Sequence, residues 1–169
     1  DYESNGGSLS AALDLANKSA NLALTGAAYF DRVGMAGDPA FDRPLSTITA
    51  NVSLSQVIDP ESIVRVVYEL TRQQGYLSSP YRYVRIAANA DDLRSTCLYP
   101  VQMCIREDNP DSRLRHAIAI NGRRALGRSL SAGLKYRFYI DDWKMSSHTL
   151  GVDGAWAPQF FDQAIAYEL

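Results

Sequence analysis

The chain has 169 residues, room for one domain of ordinary size. Its net charge of −2 offers no basic field for nucleic acid. Two cysteines without a CxxC spacing are too few for a disulfide scaffold, and two histidines without an HExxH spacing suggest no metal centre. No apolar run approaches the roughly 20 residues of a membrane helix. The opening DYESNGGS is not a signal peptide, so a cytosolic chain, or a mature or partial form of an exported one, is expected.

The dominant period is two, which predicts strands, and the abundance of tyrosine suits them. GSLSAALDLAN opposes Leu9, Ala11, Leu13 and Leu15 to Ser8, Ser10, Ala12 and Asp14. SANLALTGAAYF puts Leu22, Leu24, Gly26, Ala28 and Phe30 on one side. STITANVSLS does so with Ile48, Ala50, Val52 and Leu54, and IVRVVYELTR with Val64, Val66, Tyr68 and Leu70, against Arg65 and Glu69. RLRHAIAIN aligns Leu114, Ile118 and Ile120 with His116 in the same row. SLSAGLKYRFYI opposes Leu130, Leu134, Tyr136, Phe138 and Ile140 to Lys135 and Arg137. TLGVDGAW opposes Leu150, Val152 and Trp156 to Asp153, and FFDQAIAYEL ends the chain with Ile165, Tyr167 and Leu169 in one row.

Eight strands result, each near the ~9–11 residues that cross a bilayer when tilted. Short turns are expected at Asn17-Lys18-Ser19, at IDPES, around NGRRALGR and at Ala157-Pro158-Gln159. Longer connections are expected over residues 31–45, 73–112 and 141–148. Short turns on one rim and long loops on the other are the habit of outer-membrane barrels. A soluble lipocalin-like ligand-binding barrel would alternate too, with its apolar residues inside. Small residues mixed into the apolar rows, aromatics near the strand ends and charges of both signs in the polar rows favour the membrane. Leu22, Leu24, Val52, Val66, Leu134, Tyr136, Phe138, Val152 and Trp156 then face lipid. Arg65, Glu69, Lys135, Arg137 and Asp153 face the lumen, where Arg65 can meet Glu69, and Lys135 and Arg137 can meet Asp153.

Specific words stand along this pattern: Asp59-Pro60 in a turn, GYLSSPY from Gly75 to Tyr81, Asp111 to Arg113 opening a strand, and YRFYIDDWKMSSHTL from Tyr136 to Leu150. In this order, over residues 45–169, they resemble a bacterial family catalogued as domain of unknown function 3570, whose members are similar to predicted outer-membrane β-barrels. The resemblance implies a fold and a location, and brings no agreed activity.

The fold expected is therefore all-β, an antiparallel up-and-down transmembrane β-barrel of about eight strands in the bacterial outer membrane. Residues 1–169 form a single β-barrel domain, with 73–112 a long extracellular loop insertion. Strand one starts and strand eight ends on the long-loop rim, whereas barrel termini normally lie on the other. The chain is accordingly expected to be an internal portion of a longer barrel.

Cys97 and Cys104, in CLYPVQMC, would form a disulfide in an exported chain. GYLSSPYRYV could fold inward or dock a partner, but is expected to extend a strand past the membrane with its aromatics at the interface. Asp141 and Asp142 are calcium candidates with loop carbonyls, although turn capping is the expected role. Ser146 or Ser147 with His148 is not read as a nucleophile and base, since nothing orients them. The acidic residues of the long loop and the trio Arg123, Arg124 and Arg128 read as solvated charge. No cofactor and no enzymatic activity are expected. The partners expected are outer-membrane lipids, lipopolysaccharide and other envelope proteins. The role expected is structural or anchoring, in a larger envelope assembly, with a porin-like channel for small solutes as the alternative.

Overall fold

The computed structural model describes the backbone of residues 2–85, 104–157, 159–160, 163–164 and 167–168, with side chains over 2–84 and 105–157. Seven long strands dominate: β1 (Tyr2–Leu15), β2 (Ala20–Met35), β3 (Asp38–Asp59), β4 (Ser62–Gly75), β7 (Ser112–Ala125), β8 (Leu130–Asp141) and β9 (Ser146–Trp156). Short pieces accompany them: β5 (Tyr83–Arg85), β6 (Cys104–Arg106), β10 (Gln159–Phe160), β11 (Gln163–Ala164) and β12 (Tyr167–Glu168). One antiparallel sheet runs in the order β1-β2-β3-β4-β7-β8-β9-β12, while β5 pairs with β6 and β10 with β11. The contacts form two compact units. The first comprises Asp1–Gly6, Tyr29–Thr47 and Gln73–Arg113, and the second Gly7–Ala28, Ile48–Arg72 and Leu114–Leu169.

The period-two pattern produces strands because consecutive side chains leave opposite faces of an extended backbone. β3, at 22 residues, and β2, at 16, outrun their apolar rows. Arg32 and Asp42 explain the extension, since their ion pair joins the two strands after the apolar residues give out. The long connection expected over 31–45 is therefore absent. β2 and β3 are joined by Ala36 and Gly37 alone, with Gly37 at φ 84° supplying the left-handed corner. The connection expected over 141–148 shrinks likewise, to Asp142–Met145, with Lys144 at φ 63°.

The short turns fall where expected. Ala16, Asn17 and Lys18 all have positive φ in a single 3-10 turn, closed by Ser19, whose N–H and hydroxyl both donate to Ala16 O (3.1 and 2.7 Å). At the Asp59-Pro60 turn, Glu61 N–H donates to Asp59 Oδ1 (2.8 Å), which holds the Asp59 carboxyl below its usual range.

The sheet has the expected eight strands, but the extent of the eighth and the closure into a barrel differ from expectation. Among the described residues of 160–169, where one strand was expected, Phe160 belongs to the short hairpin β10–β11, and Tyr167 and Glu168 reach β9, opposite Trp156 and Ala155. That hairpin spends on itself the backbone groups that a continuous strand would offer to β9. Among the described residues β1 and β12 end the sheet without pairing with each other, so the architecture they show is an antiparallel sheet without barrel closure. Among the described residues, Ala20 and Ala117 of the second unit are the buried hydrophobic ones, and no side chain is fully buried.

Candidate functional site

The register of β7, β8 and β9 places Lys135, Arg137 and Asp153 on one face of the second unit, with Arg123 beside them. Lys135 Nζ lies 2.8 Å from Asp153 Oδ1, and Arg123 pairs with Asp153 Oδ2 while its Nη1 donates to Ser131 Oγ (3.1 Å). Arg123 and Asp153 sit in one cross-strand row with Gly133 between them. A Cβ at Gly133 would lie 2.8 Å from each Asp153 oxygen, so the missing side chain makes room for the carboxylate. Arg137 reaches Glu69 (3.7 Å) in a row where β7 contributes only the small Ala119.

Polar side chains also pair across the other strands of this unit. Ser10 and Thr25 share a hydrogen bond (3.0 Å), Asn21 Nδ2 donates to Asp14 Oδ1 (2.7 Å), Thr49 and Thr71 meet at 3.2 Å, and Arg65 Nη2 donates to Ser53 Oγ (3.3 Å). Polar rows are thus joined by hydrogen bonds or ion pairs between β1 and β2, between β3 and β4, and between β4 and β8.

The opposite face is apolar and open. Its cross-strand rows include Leu130 with Trp156, Leu134 with Val152, and Ile120 with Tyr136 and Leu150. Large apolar side chains stand bare on this face, while the polar face is mixed, with Lys135 and Arg137 exposed and other members sheltered. Val152 is 78% exposed and Leu150 70%, whereas Ser53 of the polar rows is 4% exposed and Asp153 half-buried. Leu22, Leu24, Val52, Val66, Leu134, Tyr136 and Trp156 are all exposed; Phe138 is half-buried against the ring of His148, 4.9 Å away.

Both histidines lie on this apolar face. Tyr68 Oη is 2.8 Å from His116 Nδ1, and Tyr136 Oη is 2.7 Å from His148 Nδ1. The sequence counted His116 into an apolar row but left His148 in a loop. The parity it shares with Leu150 and Val152 was the signal that could have placed it.

The first unit holds a cleft of about 580 Å³ lined by Phe41, Arg43, Tyr76, Arg106, Glu107 and Asp111, among others. Tyr76 meets Phe41 edge-on (5.3 Å, 77°), and the Arg43 and Arg106 guanidinium groups lie 5.8 and 5.4 Å from the Phe41 ring centre. Burial raises the Tyr76 hydroxyl pKa. GYLSSPYRYV therefore does not extend a strand. The backbone leaves β4 at Gly75 (φ 120°), and Tyr76 N–H donates to Pro44 O (2.9 Å). Nearby, the Arg32 guanidinium beside Asp42 holds that carboxyl below its usual range.

The charge pairing expected from sequence is partly re-sorted. Arg65 meets Ser53 and not Glu69, whose partner is Arg137, and Asp153 takes Lys135 and Arg123. Arg123 is thus part of the polar face, while Arg124 pairs with Glu61 (3.5 Å). Both Asp141 oxygens accept hydrogen bonds, from Met145 N–H (2.9 Å) and Tyr139 Oη (2.7 Å), so this carboxylate holds the β8–β9 turn. Asp142 is exposed, and no cluster of three or more His, Cys, Asp or Glu suited to a metal occurs among the described residues. His148 Nδ1 is engaged by a phenol and not by an acid. Cys97 and the Cys104 side chain lie outside the described residues.

Residues 42–165 match the model of one family, described as protein of unknown function (DUF3570). No curated protein and no solved structure matches the chain.

Proposed function

The chain belongs to the DUF3570 family of proteins of unknown function, and from that premise we propose that it is a membrane-spanning element of a bacterial outer-membrane β-barrel. Its role on this reading is structural, anchoring a larger envelope assembly. The observation that carries the reading is the second unit's bare apolar face, set opposite a face on which charged side chains of both signs pair with one another. Hydrocarbon solvates Val152 and Leu150 at a gain where water does so at a cost. A lipocalin-like barrel needs the opposite arrangement, with its apolar rows sheltered.

Strand length agrees. β7, β8 and β9 have 14, 12 and 11 residues, enough for the ~9–11 of a tilted crossing. Lipid also forbids an open sheet edge, because unpaired N–H and C=O groups have no partner there. The reading therefore requires the outer edges of β1 and β9 to be paired in the membrane, by closure of the sheet or by further strands.

The test is extraction and refolding. The protein should enter detergent or vesicles, stay out of plain buffer, and shift its gel mobility on heating. A monodisperse, folded species in buffer alone would sink the proposal. Planar-bilayer recording then separates scaffold from channel, because steady unitary conductance from pure protein would replace the anchoring role with that of a pore.

A further inference from the structure

We propose that the two tyrosine–histidine pairs on the apolar face form a binding site for the phosphate groups of membrane lipids, at one edge of the bilayer. This rests on the membrane reading above and adds a ligand class and a depth.

The chemistry starts from the imidazoles. A histidine is poorly suited to hydrocarbon, yet both histidines of the chain occupy the apolar face. In each, Nδ1 is engaged by a phenol, Tyr68 for His116 and Tyr136 for His148. In the arrangement in which each phenol O–H donates to Nδ1, the ring's own N–H is at Nε2. That nitrogen has no hydrogen-bond partner among the described residues. Phe138, against the His148 ring, restrains it further. The result is a pair of oriented N–H donors, in the adjacent rows His116–Ile140 and Phe138–His148. Exposed Ile118, Ile120 and Leu150 lie alongside. Donors for an anion next to bare aliphatic surface match an amphiphile, a phosphate continued by acyl chains, better than a free anion.

Depth argues the same way. The Phe138–His148 row lies four residues along β8 from the Leu134–Val152 row, and the Leu130–Trp156 row lies four residues to the other side. At about 3.3 Å per residue, four residues span about 13 Å along the strand, or about 10 Å along the membrane normal at a tilt of about 40°. The histidine and tryptophan rows are then roughly 20 Å apart along the normal, close to the ~25 Å apolar band of outer-membrane barrels. Leu134 and Val152 fall near the middle, Trp156 at one boundary, and the tyrosine–histidine pairs at the other.

The experiment is nitrogen–phosphorus dipolar dephasing by solid-state NMR. It uses ¹⁵N-histidine-labelled protein in vesicles of phosphatidylethanolamine and phosphatidylglycerol, with acyl-chain contacts recorded at Leu134 and Val152. The expected result is lipid ³¹P dephasing of Nε2 at both histidines, weakened in Tyr68→Phe and Tyr136→Phe, which lose only a hydroxyl. Acyl contacts at Leu134 and Val152 with no dephasing at either histidine would overturn the site and leave the membrane reading standing. Absence of both signals would remove the two together. In phosphate-free dodecyl maltoside micelles, inorganic phosphate should leave the Nε2 shifts unmoved, and a saturable shift there would overturn the lipid as its source.

Discussion

Replacing Val152 with arginine separates lipid from water as the solvent of the apolar face. Val152 is 78% exposed, so only about a fifth of its side chain touches protein. Full burial of a valine is worth ~1.5–3 kcal/mol, so in water the loss of that fifth costs roughly 0.3–0.7 kcal/mol. In a bilayer the same guanidinium enters hydrocarbon near the midplane, where arginine on the lipid face of a barrel costs ~2–4 kcal/mol. That is a roughly 30- to 800-fold fall in the ratio of folded to unfolded protein. Urea unfolding of vesicle-folded protein, followed by tryptophan fluorescence, reads this directly. Leu150→Arg, one row nearer the histidines, should cost less, and Met145→Arg in the β8–β9 turn close to nothing. Equal midpoints for all three would refute both the depth assignment and the solvent on which it rests.

Gly75→Ala should destabilise by roughly 2 kcal/mol or more, since φ is 120° and the new Cβ would clash with Pro44 O; thermal unfolding measures it. Gly133→Ala should cost about 1 kcal/mol by driving the Asp153 carboxylate off Lys135 and Arg123. Adding Asp153→Ala should recover most of that loss, and strict additivity of the two changes would contradict it. The Arg32–Asp42 pair predicts a pH dependence. Asp42 has a lowered pKa in the fold, so its contribution is complete above the ordinary carboxylate range and disappears as pH falls through the lowered value. Asp42→Asn should therefore narrow the stability gap between neutral and acid pH, as read by denaturant midpoints at each.

The alternation of residues legible in the sequence carried over wherever one apolar row faced one polar row. Leu134, Tyr136 and Phe138 leave one face of β8 and Lys135 and Arg137 the other, as their spacing required. Strand ends were less legible, because β2 and β3 persist through charged residues whose partners lie ten positions away, as Arg32 and Asp42 do. Pairing partners were legible only in part: Lys135 meets Asp153 as expected, whereas the partners of Arg65, Glu69 and Arg137 differ. Arg65 and Glu69 share a parity, but which charge each meets depends on inter-strand register, and register put Arg137 opposite Ala119, within reach of Glu69. The polarity of the two faces was undecidable from one chain, since inside and outside are properties of the folded sheet. The GYLSSPY segment misled because its aromatics read as strand formers, whereas the conformation of Gly75 turns the backbone away.

The lack of any fully buried side chain among the described residues has a practical consequence. For an ordinary globular domain a melting temperature belongs to the polypeptide. Here it would belong jointly to the polypeptide and whatever amphiphile surrounds it, so acyl-chain length and detergent identity become variables as decisive as any mutation. Changing the lipid is, for such a chain, a way of changing its core.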